Sequence, residues 1–318
     1  MRFIDLAPAQ EDVASAAIAG LSATPKGLSP SLFYDHEGSR LFEAICDQPE
    51  YYPTRTEMGI LRNAAADIAA HAGPSVQVVE FGAGALDKIG LLIDALDRPA
   101  GIAALDISGK HLLEAAEDLA NAYPGLDVVA IAADYQRDFT IPDPAGGPAS
   151  RRLGFFPGST IGNFAPDDAV AFLRNARQLL GDDGLMVLGV DLQKDPRILE
   201  AAYDDAAGVT AAFNLNVLTR LNRDIGATFD RSAFRHKAVY NAARARIEMH
   251  LESLVDQEVA VAGRTFPFTR GETIHTENSH KYTVAGVQDL ARRGGFDPVA
   301  CWTDEQDRFS VHLLSVPT

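Results

Sequence analysis

From about residue 60 to residue 190 the chain alternates short apolar runs with stretches of helical periodicity. "VQVVEFGAG" (76–84) predicts a buried strand ending in a glycine turn, and "LDKIGLLIDAL" the helix after it. "GIAALD" (101–106) is the second strand and "HLLEAAEDLANAY" the second helix. "LDVVAIAADY" (126–135) and "RRLGFFPGST" (151–160) are the third and fourth strands. "DDAVAFLRNARQLL" forms a helix with Asp167 or Asp168 as its N-terminal cap, and "LMVLGVDL" (185–192) is the fifth strand. Apolar strands alternating with helices predict an α/β fold with a parallel, doubly wound sheet.

The pattern then changes. Residues 195–250 read mainly as helix, with "RILEAAYDDAAGVTAAFNLNVLTRLNRDI" nearly continuous. "ARIEMHLESLVDQEVAVAGRTFPF" has the alternation of a hairpin or meander, and two final strands flank the turn "TDEQD". This organisation predicts a sheet domain from 56–192 and 282–318, and a second domain from 1–55 and 193–281.

The 318 residues are 47% hydrophobic and 23% charged, enough for a sizeable core. A net charge of −16 argues against a nucleic-acid surface or an anionic membrane as partner. Cys46 and Cys301 make no disulfide framework and no zinc motif. The start "MRFIDLAPAQEDV" lacks a signal-peptide pattern, and no apolar run reaches membrane-spanning length. A cytoplasmic protein, expected to be a monomer, follows.

Glu80, Gly82 and Gly84 stand where the first strand ends, the rim at which such sheets bind ligands. A dinucleotide fingerprint wants a third glycine where this chain has Asp87, which disfavours NAD and an oxidoreductase. Asp106 ends the second strand, and Asp134 with Tyr135 the third. Acidic residues on three neighbouring strand ends suit a ligand with a ribose and a positive centre. S-adenosylmethionine meets that description better than a phosphate-bearing nucleotide. Each aspartate taken alone could equally be a turn or helix cap.

"HTENSHKY" (275–282) packs Glu277, Ser279 and two histidines into eight positions. Its spacing admits a metal site, a catalytic pair, or a pocket for a polar small molecule. "SLFYDHEGSRLF", "PEYYPTRTE", "GSTIGNF" and "YDDAAGVTAAFN" are further stretches that a bare fold does not require.

Together these strings resemble the histidine Nα-methyltransferase family of ergothioneine biosynthesis, over nearly the whole chain. That resemblance implies trimethylation of free L-histidine to hercynine with S-adenosylmethionine. It also implies a class I methyltransferase (Rossmann-like) domain for 56–192 and 282–318, with the second domain binding substrate. On matching positions it implies cofactor contacts at Gly82, Lys88, Asp106, Asp134 and Tyr135. Substrate contacts are implied at Tyr34, Tyr51, Asn163, Tyr203, Glu277 and Ser279, with Thr210 and Met249 lining the pocket. Asn163 would orient the amine, and the Tyr34 and Tyr203 hydroxyls would suit the carboxylate; solvent would take the proton.

With that family in view the octapeptide reads as a pocket. His275 and His280 are five apart and belong to no zinc motif, so no metal is expected. Glu277 and Ser279, two apart on an extended strand, face one side and can grip both nitrogens of an imidazole. His280 then faces away. Methylation of another amino acid or amine, or a silent binding protein with the same fold, are the alternatives.

Overall fold

The computed structural model describes residues 1–7, 12–83, 86–134 and 139–317. The chain divides into two compact units, the first of Met1–Ala9, Arg55–Leu192 and Tyr282–Thr318, the second of Gln10–Thr54 and Gln193–Lys281. Elements are numbered along the whole chain.

Eight strands build the sheet of the first unit: β1 (Arg2–Asp5), β2 (Gln77–Phe81), β3 (Gly101–Asp106), β4 (Val128–Ala132), β5 (Arg152–Phe156), β6 (Leu185–Asp191), β12 (Asp297–Thr303) and β13 (Phe309–Ser315). Their order is β1-β4-β3-β2-β5-β6-β13-β12. The strands from β1 to β6 are parallel. β13 runs antiparallel to both β6 and β12. Every residue of β2, β4 and β6 is buried, which requires cover on both faces.

Alternate strand residues supply the two faces. Val78, Ile102, Val128 and Val187 pack under α3 (Pro53–Ala72), α4 (Leu86–Ala95) and α5 (Gly109–Ala122). Val79, Phe81, Leu105 and Leu188 pack under α6 (Pro166–Leu180) and α9 (Val284–Arg293). This is the doubly wound sheet of the class I methyltransferase type. Strand order reverses at β2, between β3 and β5, so the carboxyl end of β2 borders the crevice where such sheets take ligands.

The second unit holds α1 (Val13–Ser22), α2 (His36–Cys46), α7 (Pro196–Tyr203) and α8 (Val209–Ile225). Its strands are β7 (Phe234–Asn241), β8 (Arg246–Ser253), β9 (Gln257–Val261), β10 (Arg264–Phe268) and β11 (Thr273–His280). β11, β8 and β7 form an antiparallel sheet in that order, and β9 pairs β10. One core joins them, with Phe33, Phe213, Leu218, Ile247 and Leu251 buried together.

Four local expectations change. The first nine residues, placed by sequence with the second unit, belong to the first, because β1 adds a parallel edge strand beside β4. Neither Asp167 nor Asp168 caps α6; Pro166 takes the first helical position, so Ala165 is the cap and both acids sit in the first turn. The helix read as continuous from residue 197 breaks after Tyr203. There Gly208 takes a left-handed conformation, and the Asp205 carboxylate accepts the N–H groups of Val209 (2.9 Å) and Thr210 (2.7 Å) to start α8. Helix also ends at Ile225, and β7 begins at Phe234, inside the stretch read as mainly helical.

Candidate functional site

The rim of the first unit starts at Gly82, which turns the chain out of β2 with φ of 75°. The N–H groups of Gly82 and Ala83 both donate to Leu105 O, at 2.8 and 3.0 Å, tying the turn to the end of β3. Among the described residues, chain neighbours aside, no atom lies within 4 Å of where a Cβ would stand. Glu80 lies on the β2 face beneath α3 and α4, 5% exposed. Burial pushes its carboxyl up to about 8; the Lys88 charge opposes this and Asp106 adds to it. Asp106 closes β3 and accepts the Ser108 N–H at 2.7 Å. Burial raises its carboxyl too, against the Ser108 bond and the His111 charge. Asp134 is half-buried just past β4, while Gly84 and Tyr135 lie outside the described residues. Asp106 and Asp134, at adjacent strand ends, can accept from hydroxyls, while Glu80, its carboxyl pushed up to about 8, is mostly neutral at pH 7. The two aspartates fit the ribose hydroxyls of S-adenosylmethionine better than a phosphate.

Lys88 reaches this rim through a partner that sequence reading missed. Its Nζ donates to Glu57 Oε2 at 2.7 Å. Glu57, on α3 and 1% exposed, also accepts the Gly158 N–H at 2.9 Å with each oxygen. A Cβ on Gly189 of β6 would come within 1.8 Å of Glu57 Oε1, so only glycine leaves the carboxylate its room on the sheet. Gly158 opens the "GSTIGNF" stretch, whose Ser159 adopts φ of 57° and accepts the Asp191 N–H on Oγ at 3.0 Å. The one-turn 3₁₀ helix Thr160–Asn163 follows and presents Asn163, half-buried. Much of that motif is therefore anchorage, and Asn163 closes its 3₁₀ turn. The signal for Glu57 was a glutamate in helical register with buried Ile60, Leu61 and Ala64.

In the second unit a β-bulge decides which way "HTENSHKY" faces. Ile274 pairs Leu251 and His275 pairs His250, but Glu277 then pairs Met249, leaving Thr276 as the extra residue. Under strict alternation through Thr276, Glu277 would share a face with His275. With the bulge, Glu277 and Ser279 join Ile274 on the apolar face, opposite buried Met249 and Ile247. The side-chain hydroxyl of Tyr203 donates to Ser279 Oγ at 2.8 Å. Lys281, 2% exposed, donates to Ser279 Oγ at 2.9 Å and to Tyr203 Oη at 3.0 Å. Burial pushes the Glu277 carboxyl up to about 7, with the Lys281 charge pulling the other way.

Tyrosines wall this cluster. The rings of Tyr51 and Tyr203 meet edge to face at 6.2 Å. The Tyr51 phenol is held far above its ordinary range, chiefly by burial and then by Tyr203, Cys46, Glu277 and Tyr34. Tyr34 packs edge-on against Phe42 and Phe213 and stays 45% exposed. Thr210 and Met249 are both buried, Thr210 in the first turn of α8. The Tyr203 hydroxyl, read as a carboxylate contact, thus stands at the Glu277 and Ser279 end. Lys281 carried no sequence signal beyond being one of the octapeptide's own residues, two after Ser279.

The opposite face of the sheet holds His250, His275 and Glu248, the two rings 5.0 Å apart. Burial lowers both imidazoles below their ordinary value. His280 pairs Arg246 on that same face, turned from Glu277. Among the described residues no group of three or more His, Cys, Asp or Glu is arranged to hold a metal ion.

Residues 13–316 match the family described as histidine-specific methyltransferase, SAM-dependent. The chain belongs to that family. It is 41% identical to a histidine N-alpha-methyltransferase of Mycolicibacterium smegmatis, covering 93% of this chain and 92% of the relative. A histidine N-alpha-methyltransferase of Mycobacterium tuberculosis is 39% identical over the same shares. Ergothioneine biosynthesis protein 1 of Neurospora crassa is 30% identical over 92% of this chain and 33% of that longer protein. As a SAM-dependent methyltransferase the chain takes S-adenosylmethionine, in keeping with the acidic rim. Among the described residues of this methyltransferase no helix is long and apolar enough to cross a membrane.

Proposed function

We propose that this chain transfers methyl groups from S-adenosylmethionine to the α-amino group of free L-histidine, three in succession, giving hercynine for ergothioneine biosynthesis. The observation that carries the substrate assignment is the bulge in β11. It sets a carboxyl acceptor and a hydroxyl side by side within a wall of tyrosines, the complement of an imidazole. We read the protein as a cytoplasmic monomer on the strength of its charge and its lack of a disulfide.

S-adenosylmethionine, when bound, supplies a methyl carbon made electrophilic by its sulfonium. Gly82, Asp106, Asp134, Tyr135 and Lys88 are the residues proposed to hold it, Lys88 through Glu57. The substrate's amine lone pair forms the new N–C bond as the S–C bond breaks and its electrons return to sulfur, so positioning is what the protein contributes. Asn163 accepts a hydrogen bond from the amine and aims that lone pair. Tyr34 and Tyr51 bind the amino-acid end, and their rings tolerate the cation that builds with each methyl. Solvent takes the amine proton at each round. Glu277, Ser279 and Tyr203 read the side chain, with Thr210 and Met249 closing the pocket.

Incubation with S-adenosylmethionine and each of the twenty amino acids, followed by mass spectrometry, tests the reading. Trimethylated histidine is the expected product. Methylated tryptophan or tyrosine in preference would reassign the substrate. Cofactor binding with no product from any amino acid would make the chain a silent binder.

A further inference from the structure

Lys281 is a buried cation whose ammonium donates to two hydroxyls of the proposed pocket. Its Nζ donates to Ser279 Oγ at 2.9 Å and Tyr203 Oη at 3.0 Å, and stands 4.7 Å from the centre of the Tyr203 ring. Both ends of its backbone are held, the N–H by Ala245 O at 2.7 Å and the carbonyl by Gln193 Nε2 at 3.2 Å. The side chain is thus placed by its own strand end rather than by a ligand.

This triangle fixes the sense in which Ser279 can bond. An ammonium has donors only, so each hydroxyl oxygen gives it a lone pair. Ser279 Oγ also accepts from Tyr203 Oη at 2.8 Å. Both lone pairs of Ser279 are then occupied, and its own proton is what it can offer a ligand. Ser279 can meet that ligand only as a donor. Glu277, on the same strand face, meets it as an acceptor once ionised. With Lys281 replaced by an apolar residue, Ser279 would recover a lone pair and could serve in either sense.

We propose that Lys281 is a specificity-determining positioning residue that locks Ser279 as a donor, so that the site takes its amino-acid substrate with a neutral azole side chain. One ring N–H donates to Glu277, and the other ring nitrogen accepts from Ser279. An imidazolium, with two donors, would face the occupied oxygen of Ser279 beside the Lys281 charge. The inference rests on reading Glu277 and Ser279 as the side-chain end of the substrate pocket.

The test compares L-histidine with β-(2-thienyl)-L-alanine, whose ring has similar shape but neither donor nor acceptor nitrogen. Enzymes to compare are wild type, Lys281→Met, Lys281→Arg, Ser279→Ala, the Ser279→Ala/Lys281→Met double variant, and Glu277→Ala. Binding of S-adenosylhomocysteine, followed by calorimetry, reports folding. Lys281→Met should raise KM for histidine about tenfold or more, the worth of one ordered hydrogen bond, with kcat little changed. The thienyl substrate should be nearly indifferent to it. Lys281→Arg, still donor-only, should recover part of the loss. The double variant should be no worse for histidine than Ser279→Ala alone. Equal losses for both substrates, a loss confined to kcat, or additive losses in the double variant would overturn the role of Lys281. If Glu277→Ala leaves the preference for histidine over the thienyl substrate intact, the pocket reading itself fails. If Lys281→Met does not fold, Lys281→Arg and Ser279→Ala decide: unchanged histidine preference in Ser279→Ala overturns the inference.

Discussion

Glu277 shows how much of the chemistry rests on one side chain. A carboxylate bonded to an imidazole N–H contributes roughly 1.5–3 kcal/mol, so Glu277→Ala should lower kcat/KM for histidine by about tenfold to a hundredfold. The truncation also widens and neutralises the pocket, so tryptophan should gain relative to histidine in direct competition. Unchanged preference would remove Glu277 from the side-chain site. Burial holds this carboxyl near 7, and only its ionised form is a pure acceptor. KM for histidine should therefore rise as pH falls through about 7, and Glu277→Gln should make that rise shallower. The remaining dependence belongs to the substrate's own imidazole. Equal slopes in the two proteins would show that Glu277 does not titrate in the site. Glu277 and Ser279 were singled out by the family resemblance, and their two-residue spacing puts them on one face of any strand. Lys281 and Glu57 were not singled out, because a lysine or glutamate is ordinarily a solvated surface residue.

At the scale of elements, two local devices aim these groups. Thr276 stands outside the pairing and offsets the alternation of β11, so deleting it should let Glu277 follow His275 directly and still pair Met249. Histidine methylation should be largely retained, and S-adenosylhomocysteine binding with it, because the acidic rim belongs to the other unit. Activity lost in the deletion while S-adenosylhomocysteine still binds would show that the bend of the bulge, and not the pairing alone, aims the pocket. The second device is the room that Gly189 leaves for Glu57. A Cβ there would stand 1.8 Å from Glu57 Oε1, forcing the carboxylate off both Lys88 and Gly158. Gly189→Ala should lower stability by about 1–3 kcal/mol, by the overpacking it introduces. It should also lower kcat more than it raises KM, since the Gly158 segment carries Asn163. Denaturant titration and steady-state kinetics check the two halves separately.

At the scale of the whole molecule, the buried acids predict how stability depends on pH. Glu80 rises from an ordinary 4.5 to about 8, and Glu277 to about 7, so between those values the folded chain binds more protons than the unfolded one. Stability from this source falls as pH rises through that window, each tenfold gain in a group's proton affinity on folding being worth about 1.4 kcal/mol. The lowered imidazoles of His236, His250, His275 and His312 act oppositely, but only below their ordinary 6.5. From about pH 7 to 8 Glu80 is left as the main contributor. The urea midpoint should decline across that interval in the wild type and stay nearly level in Glu80→Gln; parallel declines would mean Glu80 is already ionised. Periodicity alone determined the parallel sheet and its helical cover, because burial on both faces writes continuous apolar strands and 3.6-residue stripes into the chain. The change of pattern near residue 195 likewise marked where a second unit begins. Other features depended on residues far apart in sequence. β1 reads as nothing more than four residues until β4 lies beside it. Gly189 is an ordinary strand glycine until α3 brings Glu57 over it. The face that Glu277 presents follows from a one-residue mismatch with β8, since a strand's own alternation says which side chains go together but not toward which side.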